Sequence, residues 1–225
     1  MSKSPEKAYG KILIVAGGDL RDPTFLDDMA KECDLIIAAD GGLKHLLYLE
    51  RPPDILIGDL DSLEPELVRI YKQKGIHLIE HPSEKDDTDT ELAIQHALSL
   101  NPEEILLLGG IGDRIDHTLS NVGLLLYGLR QNIPMRLTDG LQSAFLTDDR
   151  AAVVGRIGDW VSLLPWTERV GGITTEGLKY PLIEGTLEWG HSLGISNELT
   201  APRATVKISS GILLIVHIPN GLGRN

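Results

Sequence analysis

The first 140 residues alternate short apolar runs with segments of helical pattern, and this alternation restricts the fold more than any other feature. The apolar runs are Ile12–Ala16, Leu35–Ala39, Ile55–Ile57, His77–Ile79, Ile105–Leu108 and Met135–Thr138. Between them lie Thr24–Lys31, Leu43–Glu50, Pro65–Lys74, Thr88–Ser99 and Asp116–Arg130. Strands made of continuous Ile, Leu and Val need cover on both faces, and intervening helices supply it. The pattern predicts an open parallel α/β sheet. Thr88-Asp89-Thr90-Glu91 has the form of a capping box, and Asn101-Pro102 closes the helix that follows.

After about Ser143 the helical period fades. Short β-rich stretches take over at Ala151–Val154, Trp160–Leu164, Ala204–Ile208 and Ile212–Ile218, with glycines between them as turns. The last two read as a hairpin around Ser209-Ser210-Gly211. The boundaries follow as an α/β domain over 1–142 and an antiparallel β domain over 143–225.

In an open α/β sheet, ligands bind beyond the carboxyl ends of the strands. Gly17-Gly18-Asp19 follows the first predicted strand, Asp40-Gly41-Gly42 the second, Asp59 and Asp61 the third, and the Gly109-to-His117 segment the fifth. Four Gly/Asp loops therefore gather along one sheet edge. Carboxylates from separate loops repel one another unless a cation joins them, so the economical reading is a divalent metal with the phosphates it carries.

Each cluster also has a plainer reading. Asp59 and Asp61 would suit an Asx turn. Asp86 and Asp89 precede or begin a helix, where acids are favoured by the dipole. Lys85 suits a phosphate or a solvated ion pair. Gly109-Gly110-Ile111-Gly112 lets a backbone approach phosphate, and Arg114 can grip one with its fork, but the loop is neither a P-loop nor a dinucleotide fingerprint. His117 fits a capping role as well as a catalytic one.

Composition narrows the field. With 21 basic against 33 acidic side chains, net −12, the chain is poorly suited to nonspecific binding of nucleic acid or anionic membrane. The single cysteine, Cys33, excludes an internal disulfide and fits a reducing compartment. The polar N-terminus and strand-sized apolar runs lead to the expectation of a soluble cytoplasmic protein.

Taken in order, Ala39-Asp40-Gly41-Gly42, Gly58-Asp59-Leu60-Asp61-Ser62, Glu84-Lys85-Asp86-Asp87-Thr88-Asp89 and Gly112-Asp113-Arg114-Ile115-Asp116-His117 resemble the thiamine pyrophosphokinase family, bacterial type. The resemblance continues through Thr175-Glu176-Gly177-Leu178-Lys179-Tyr180 and Gly194-Ile195-Ser196-Asn197-Glu198. It implies a Rossmann-like parallel-sheet domain followed by a β-sandwich. It also implies transfer of a pyrophosphoryl group from ATP to the hydroxyethyl alcohol of thiamine, with Mg²⁺ as cofactor.

Carried over residue by residue, the resemblance gives Asp59, Asp61, Asp89, Arg114 and Asp116 as the catalytic set, with Asp59, Asp61 and Asp89 toward the metal. ATP contacts are implied for Asp40, Gly41, Gly42, Ser62, Lys85, Gly110, Gly112, Arg114 and His117. Thiamine contacts are implied for Asp86, Asp89, Gly194, Ser196 and Asn197, with Ser196 and Asn197 reaching across a homodimer interface and Gly194 permitting close approach. Two departures stand out. Asp113 replaces a common glycine, and Leu199 falls where some eukaryotic members place an aromatic, leaving Trp166 and Trp189 as available rings. A pyrophosphokinase for another alcohol, such as a hydroxymethylpterin, and a nucleotide or thiamine sensor without turnover remain open at this point.

Overall fold

The computed structural model describes residues 9–47, 49, 51–59 and 65–220. These form two compact units, divided between Gly140 and Leu141.

The first unit carries six parallel strands: β1 (Lys11–Val15), β2 (Leu35–Ala39), β3 (Ile55–Gly58), β4 (His77–Glu80), β5 (Glu104–Leu108) and β6 (Met135–Thr138). They lie in the order β6-β5-β1-β2-β3-β4, every pair parallel. The order reverses at β1, whose neighbours are β2 on one side and β5 on the other. Such a reversal leaves a crevice above the strand ends, because the connections on its two sides run away from each other.

Five helices join these strands: α1 (Pro23–Glu32), α2 (Leu43–Leu46), α3 (Pro65–Gln73), α4 (Asp89–Ser99) and α5 (Ile115–Gln131). One sheet face puts Leu13, Val15, Ile36, Ala38, Leu56 and Leu108 into a core with Leu26 of α1, Leu43 and Leu46 of α2 and Tyr71 of α3. The opposite face is covered by α4, which packs on β1, β2 and β3. This two-sided burial explains the uninterrupted apolar runs; β4, at the edge, alone reads exposed at both ends. The predicted helix from Leu43 proves short, ending at Leu46, and residues 48 and 50 of its expected span lie outside the described residues.

Thr88 caps α4, its hydroxyl accepting from the Glu91 N–H at 3.2 Å. The reciprocal half of a capping box is absent because the Glu91 carboxylate instead accepts from the Tyr127 hydroxyl at 2.7 Å, joining α4 to α5.

The second unit is a sandwich of antiparallel strands. β7 (Ser143–Thr147), β9 (Trp160–Pro165), β12 (Asn197–Glu198) and β14 (Leu213–Ile218) pair in one layer, and β8 (Arg150–Val154), β10 (Arg169–Glu176), β11 (Gly185–Glu188) and β13 (Arg203–Lys207) in the other. Val161, Leu163, Leu213 and Ile215 of the first layer meet Val153, Val170, Ile173, Ala204 and Val206 of the second in one core.

One expectation is corrected here. β13 and β14 do not form a hairpin: β13 pairs with β8 and β10, whereas β14 pairs with β7 and β9. Each stretch has one apolar face, and those faces meet across the core, so Ser209–Gly211 carries the chain between layers. β10 was hidden by Gly171-Gly172, which looks like a turn but forms a bulge, with Gly172 at φ +64°.

Candidate active site

The strand ends around the β1 reversal open into a cleft of about 420 Å³ within the first unit. Its walls come from Gly17–Asp19 after β1, Asp40 and Gly41 after β2, Gly109–Arg114 after β5, Thr88–Thr90 at the start of α4, and His117 and Asn121 of α5. Of the four loops expected at this edge, those after β1, β2 and β5 line the cleft, and they bring Asp19, Asp40 and Asp113 together with Asp89 from the start of α4.

The glycines hold two of these loops in direct contact. The Gly18 N–H donates to the Gly109 carbonyl at 2.7 Å. A Cβ on Gly18 would stand 2.4 Å from that oxygen, and one on Gly109, at φ +70°, would stand 2.3 Å from the Ala16 carbonyl. No side chain fits either position without moving backbone. Asp40 begins a single 3₁₀ turn with φ +35°, a left-handed backbone that is uncommon outside glycine. That conformation turns the chain at the end of β2 and sets Asp40 at the cleft wall.

Asp89 is partly buried. Lys85 Nζ lies 2.8 Å from its Oδ1, with both side chains largely buried. Oδ1 receives no well-aligned hydrogen bond, so the pair is held by charge. Arg114 makes the opposite arrangement. It is exposed and forks onto Asp116, with Nη2 2.6 Å from Oδ2 and Nε 3.2 Å from Oδ1. The Arg114 hydrogen bond pulls the Asp116 carboxyl down to about 2, keeping it ionised at any pH of interest. Asp116 does not itself line the cleft; it steadies the guanidinium that does.

Of the remaining expected residues, Gly41, Gly110, Gly112 and His117 line the cleft. Gly42 does not: it packs on β1, where a Cβ would meet the Val15 carbonyl at 1.9 Å. Lys85 reaches the cleft through Asp89, and Asp86 is exposed and not among the lining residues. Asp59 is not among the lining residues; it follows Gly58, whose own Cβ position is 3.1 Å from the Asp40 Cβ. Asp61 and Ser62 lie outside the described residues. Among the described residues no three His, Cys, Asp or Glu side chains gather closely enough to hold a metal by themselves.

Gly194, Ser196 and Asn197 belong to the second unit and are not among the residues that line this cleft. Asn197 is buried and its amide is largely committed: Oδ1 accepts from the Tyr180 and Glu198 N–H groups, and Nδ2 donates to the Tyr180 carbonyl at 2.7 Å. Ser196 sits at φ +57° with its N–H on the Ser162 hydroxyl. Gly194, at φ +102°, passes so close to the Leu163 carbonyl that a Cβ would be 2.4 Å away. Leu199 is core, and Trp189, largely exposed, stacks obliquely on Trp166 at 6.2 Å between ring centroids.

Residues that sequence reasoning passed over hold the site together. Asn121 Nδ2 donates to the Gly110 carbonyl at 2.8 Å, and Thr118 Oγ1 accepts from the Gly112 N–H at 3.2 Å. The signal for Asn121 was available: it is a polar residue on the buried stripe of α5 with Val122 and Leu125.

Comparison with known proteins bears on both units. A family model described as "Thiamin pyrophosphokinase, catalytic domain" matches residues 26–137, and another, "Thiamin pyrophosphokinase, vitamin B1 binding domain", matches residues 150–213. The chain is 33% identical to the thiamine pyrophosphokinase of Bacillus subtilis over 207 residues, spanning 91% of this chain and 97% of that one. The crystal structure of the Bacillus subtilis thiamine pyrophosphokinase superposes with a TM-score of 0.82 at 32% identity, covering 93% of this chain and 99% of that one. The Geobacillus thermodenitrificans thiamin pyrophosphokinase gives 0.80 at 32% identity, over 94% and 99%.

Proposed function

The chain belongs to the thiamine pyrophosphokinase family, and from that premise we propose that it moves a pyrophosphoryl group from ATP to the hydroxyethyl alcohol of thiamine. Formation of thiamine diphosphate is the activity that membership carries; the donor, the leaving group and the residue roles are our reading. The alcohol oxygen bonds to the β-phosphorus, the bond from that phosphorus to the α,β-bridging oxygen breaks, AMP leaves with that oxygen, and the alcohol proton passes to solvent.

The observation that supports this reading best is the cleft itself: paired glycine loops at the sheet's reversal point, with Arg114 and His117 at one wall and Asp40 and Asp89 at others. Close backbone approach suits a polyphosphate, and the guanidinium supplies a two-pronged grip for its oxygens. Four acids around phosphates would repel them, so a divalent cation is required. Mg²⁺ needs only one or two carboxylates when phosphate oxygens and water complete its shell, and the oxygen donors present fit that need. Asp59, Asp61 and Asp89 are our assignment for holding it. When bound, Mg²⁺ supplies neutralisation of charge on the β- and γ-phosphates.

Asp89 orients the alcohol; a carboxylate is too weak a base to deprotonate an alcohol fully, so position matters more than proton removal. Asp40, Gly41, Gly110, Gly112 and His117 contact ATP, with Ser62 and Lys85, while Gly42 acts through packing. Asp86 is assigned to the thiamine side. A second copy of the chain completes the thiamine pocket through Gly194 and Ser196, with Asn197 setting their turn. The exposed Tyr180, Ile183, Trp189, Leu193 and Ile195 of the second unit support such a covered surface. No helix among the described residues is long and apolar enough to cross a membrane, in keeping with a cytoplasmic enzyme.

Incubation of the purified protein with ATP, Mg²⁺ and thiamine, with nucleotides and thiamine esters resolved, tests this. AMP and thiamine diphosphate in equal amounts are expected. ADP with thiamine monophosphate would mean attack on the γ-phosphorus and sink the proposal. Asp61→Asn is expected to fold normally and lose most turnover; full activity would remove Asp61 from the metal assignment.

A further inference from the structure

We infer that Lys44 and His45, consecutive residues of α2, are positioning residues that fix the two glycine loops of the cleft for nucleotide binding. Lys44 Nζ donates to the Gly17 carbonyl, and His45 Nε2 lies 2.7 Å from the Gly18 carbonyl. The acceptors are successive carbonyls of one loop, and both donors come from the next helical turn after β2.

The peptide joining Gly17 to Gly18 is thereby held at both ends. Its carbonyl accepts from Lys44, and its N–H donates to the Gly109 carbonyl at 2.7 Å. A peptide that accepts from a cation is polarised, and its N–H becomes a better donor. The charge on Lys44 therefore tightens the contact between the β1 loop and the β5 loop. On the β5 side, Asn121 grips the next carbonyl, that of Gly110. On the far side of the β1 loop, the Arg21 N–H donates to the Asp139 carbonyl at 2.9 Å. The segment from Gly17 to Arg21 is anchored from α2, β5 and β6 before any ligand arrives.

The chemistry of His45 fits this duty. A carbonyl oxygen only accepts, so Nε2 must carry the hydrogen. Burial holds the imidazole below its ordinary pKa against the hydrogen bond to Gly18, with Lys44 lowering it further and Asp19 raising it. The neutral Nε2–H tautomer is thus the working form near pH 7, and a second cation is kept out of the wall. His45 touches no proposed reacting atom; it acts through Gly18.

This inference rests on the reading of the cleft as the nucleotide site, so its test separates nucleotide binding from turnover. Equilibrium binding of a fluorescent ATP analogue, with kcat and the KM values for ATP and thiamine, is measured for wild type, His45→Leu, His45→Gln and Lys44→Met. Gln places an amide N–H near the position of Nε2. Loss of one such bond is expected to weaken analogue binding and raise the ATP KM about fivefold in His45→Leu and in Lys44→Met. Little change is expected in kcat or the thiamine KM, and His45→Gln should recover most of the loss.

Equal analogue binding by His45→Leu and wild type would overturn the inference. So would His45→Gln as impaired as His45→Leu, or a thiamine KM that rises in step with that for ATP. Lys44 is exposed, so Lys44→Met keeps the question answerable should His45→Leu fold poorly. Analogue binding by a wild type that does not turn thiamine over would refute the acceptor and leave this inference standing. No analogue binding by wild type would refute both.

Discussion

The N–H of Gly18 donates to the carbonyl of Gly109 at 2.7 Å, across the point where the parallel sheet reverses its order. Everything that lines the cleft is placed relative to this contact, because the loops after β1 and β5 have no room for a side chain between them.

Gly109→Ala is expected to cost roughly 2–4 kcal/mol, combining overpacking against the Ala16 carbonyl with a left-handed backbone. Gly75 is the internal control, since it also has positive φ, +82°, but has nothing within 4 Å of its Cβ position. Gly75→Ala should cost only about 1 kcal/mol. Urea denaturation of the two variants decides it, and equal losses would refute the steric argument.

If Asp89 orients the alcohol as proposed, Asp89→Asn should lower kcat at least about a hundredfold. It removes the counter-ion of Lys85, at a stability cost of about 1 kcal/mol. Steady-state kinetics beside a melting curve tests both halves. A variant that keeps wild-type turnover would take Asp89 out of the site.

Asn197→Ala is expected to destabilise the protein by about 1–3 kcal/mol, since the buried Asn197 amide holds both backbone groups of Tyr180 through partly buried hydrogen bonds. Tryptophan fluorescence is the natural probe, because Trp160, Trp166 and Trp189 all belong to the second unit. Unchanged stability with a raised thiamine KM would instead make Asn197 a direct substrate contact.

Stability should fall in two acid steps. Burial lowers the pKa of His45 and of His96, the latter with help from His77, so both are neutral when folded. The unfolded chain binds their protons below about 6.5, so their contribution is complete above that pH and is lost as pH falls through the lower folded values. Burial alone would raise the Asp159 carboxyl. The N–H groups of Asn220 and Arg156, with His217, outweigh it and leave its pKa lowered. Its contribution is complete above about 3.9 and is lost below that as the folded value is crossed. Urea midpoints at a series of pH values should show both steps. His45→Gln with His96→Gln should flatten the first, and Asp159→Asn the second; a first step that persists in the double variant would rule out this origin.

Cys33 should resist alkylation at pH 8 in the folded protein and react on unfolding. It is buried at the C-terminal cap of α1, and burial pushes its thiol up to about 11. Rapid labelling of the folded protein by iodoacetamide would contradict this.

Much of the first unit is legible in the order of residues. Continuous Ile/Leu/Val runs can only be two-sided strands, so β1, β2, β5 and β6 fall within a residue of where the pattern puts them. The second unit is less legible. Gly171-Gly172 conceals β10 as a bulge, and two half-apolar stretches look like hairpin partners although they face one another across a core. The site divides in the same manner. Asp40, Asp89, Arg114 and the Gly109–Gly112 loop announce themselves by residue type and place, whereas Asn121, Thr118, Lys44 and His45 do not.

Residue order alone indicates the elements of the first unit, the sheet edge where its Gly/Asp loops meet and the family, because these follow from periodicity, from the rule placing ligands at strand ends and from ordered motifs. Which loops touch, and which side chains hold them, emerges only when the chain is folded. Lys44 and His45 meet carbonyls 27 residues away, contacts that no local pattern encodes. Hydrogen bonds of that kind depend on where folded strands end in space, and a linear pattern of polarity carries no distance between loops.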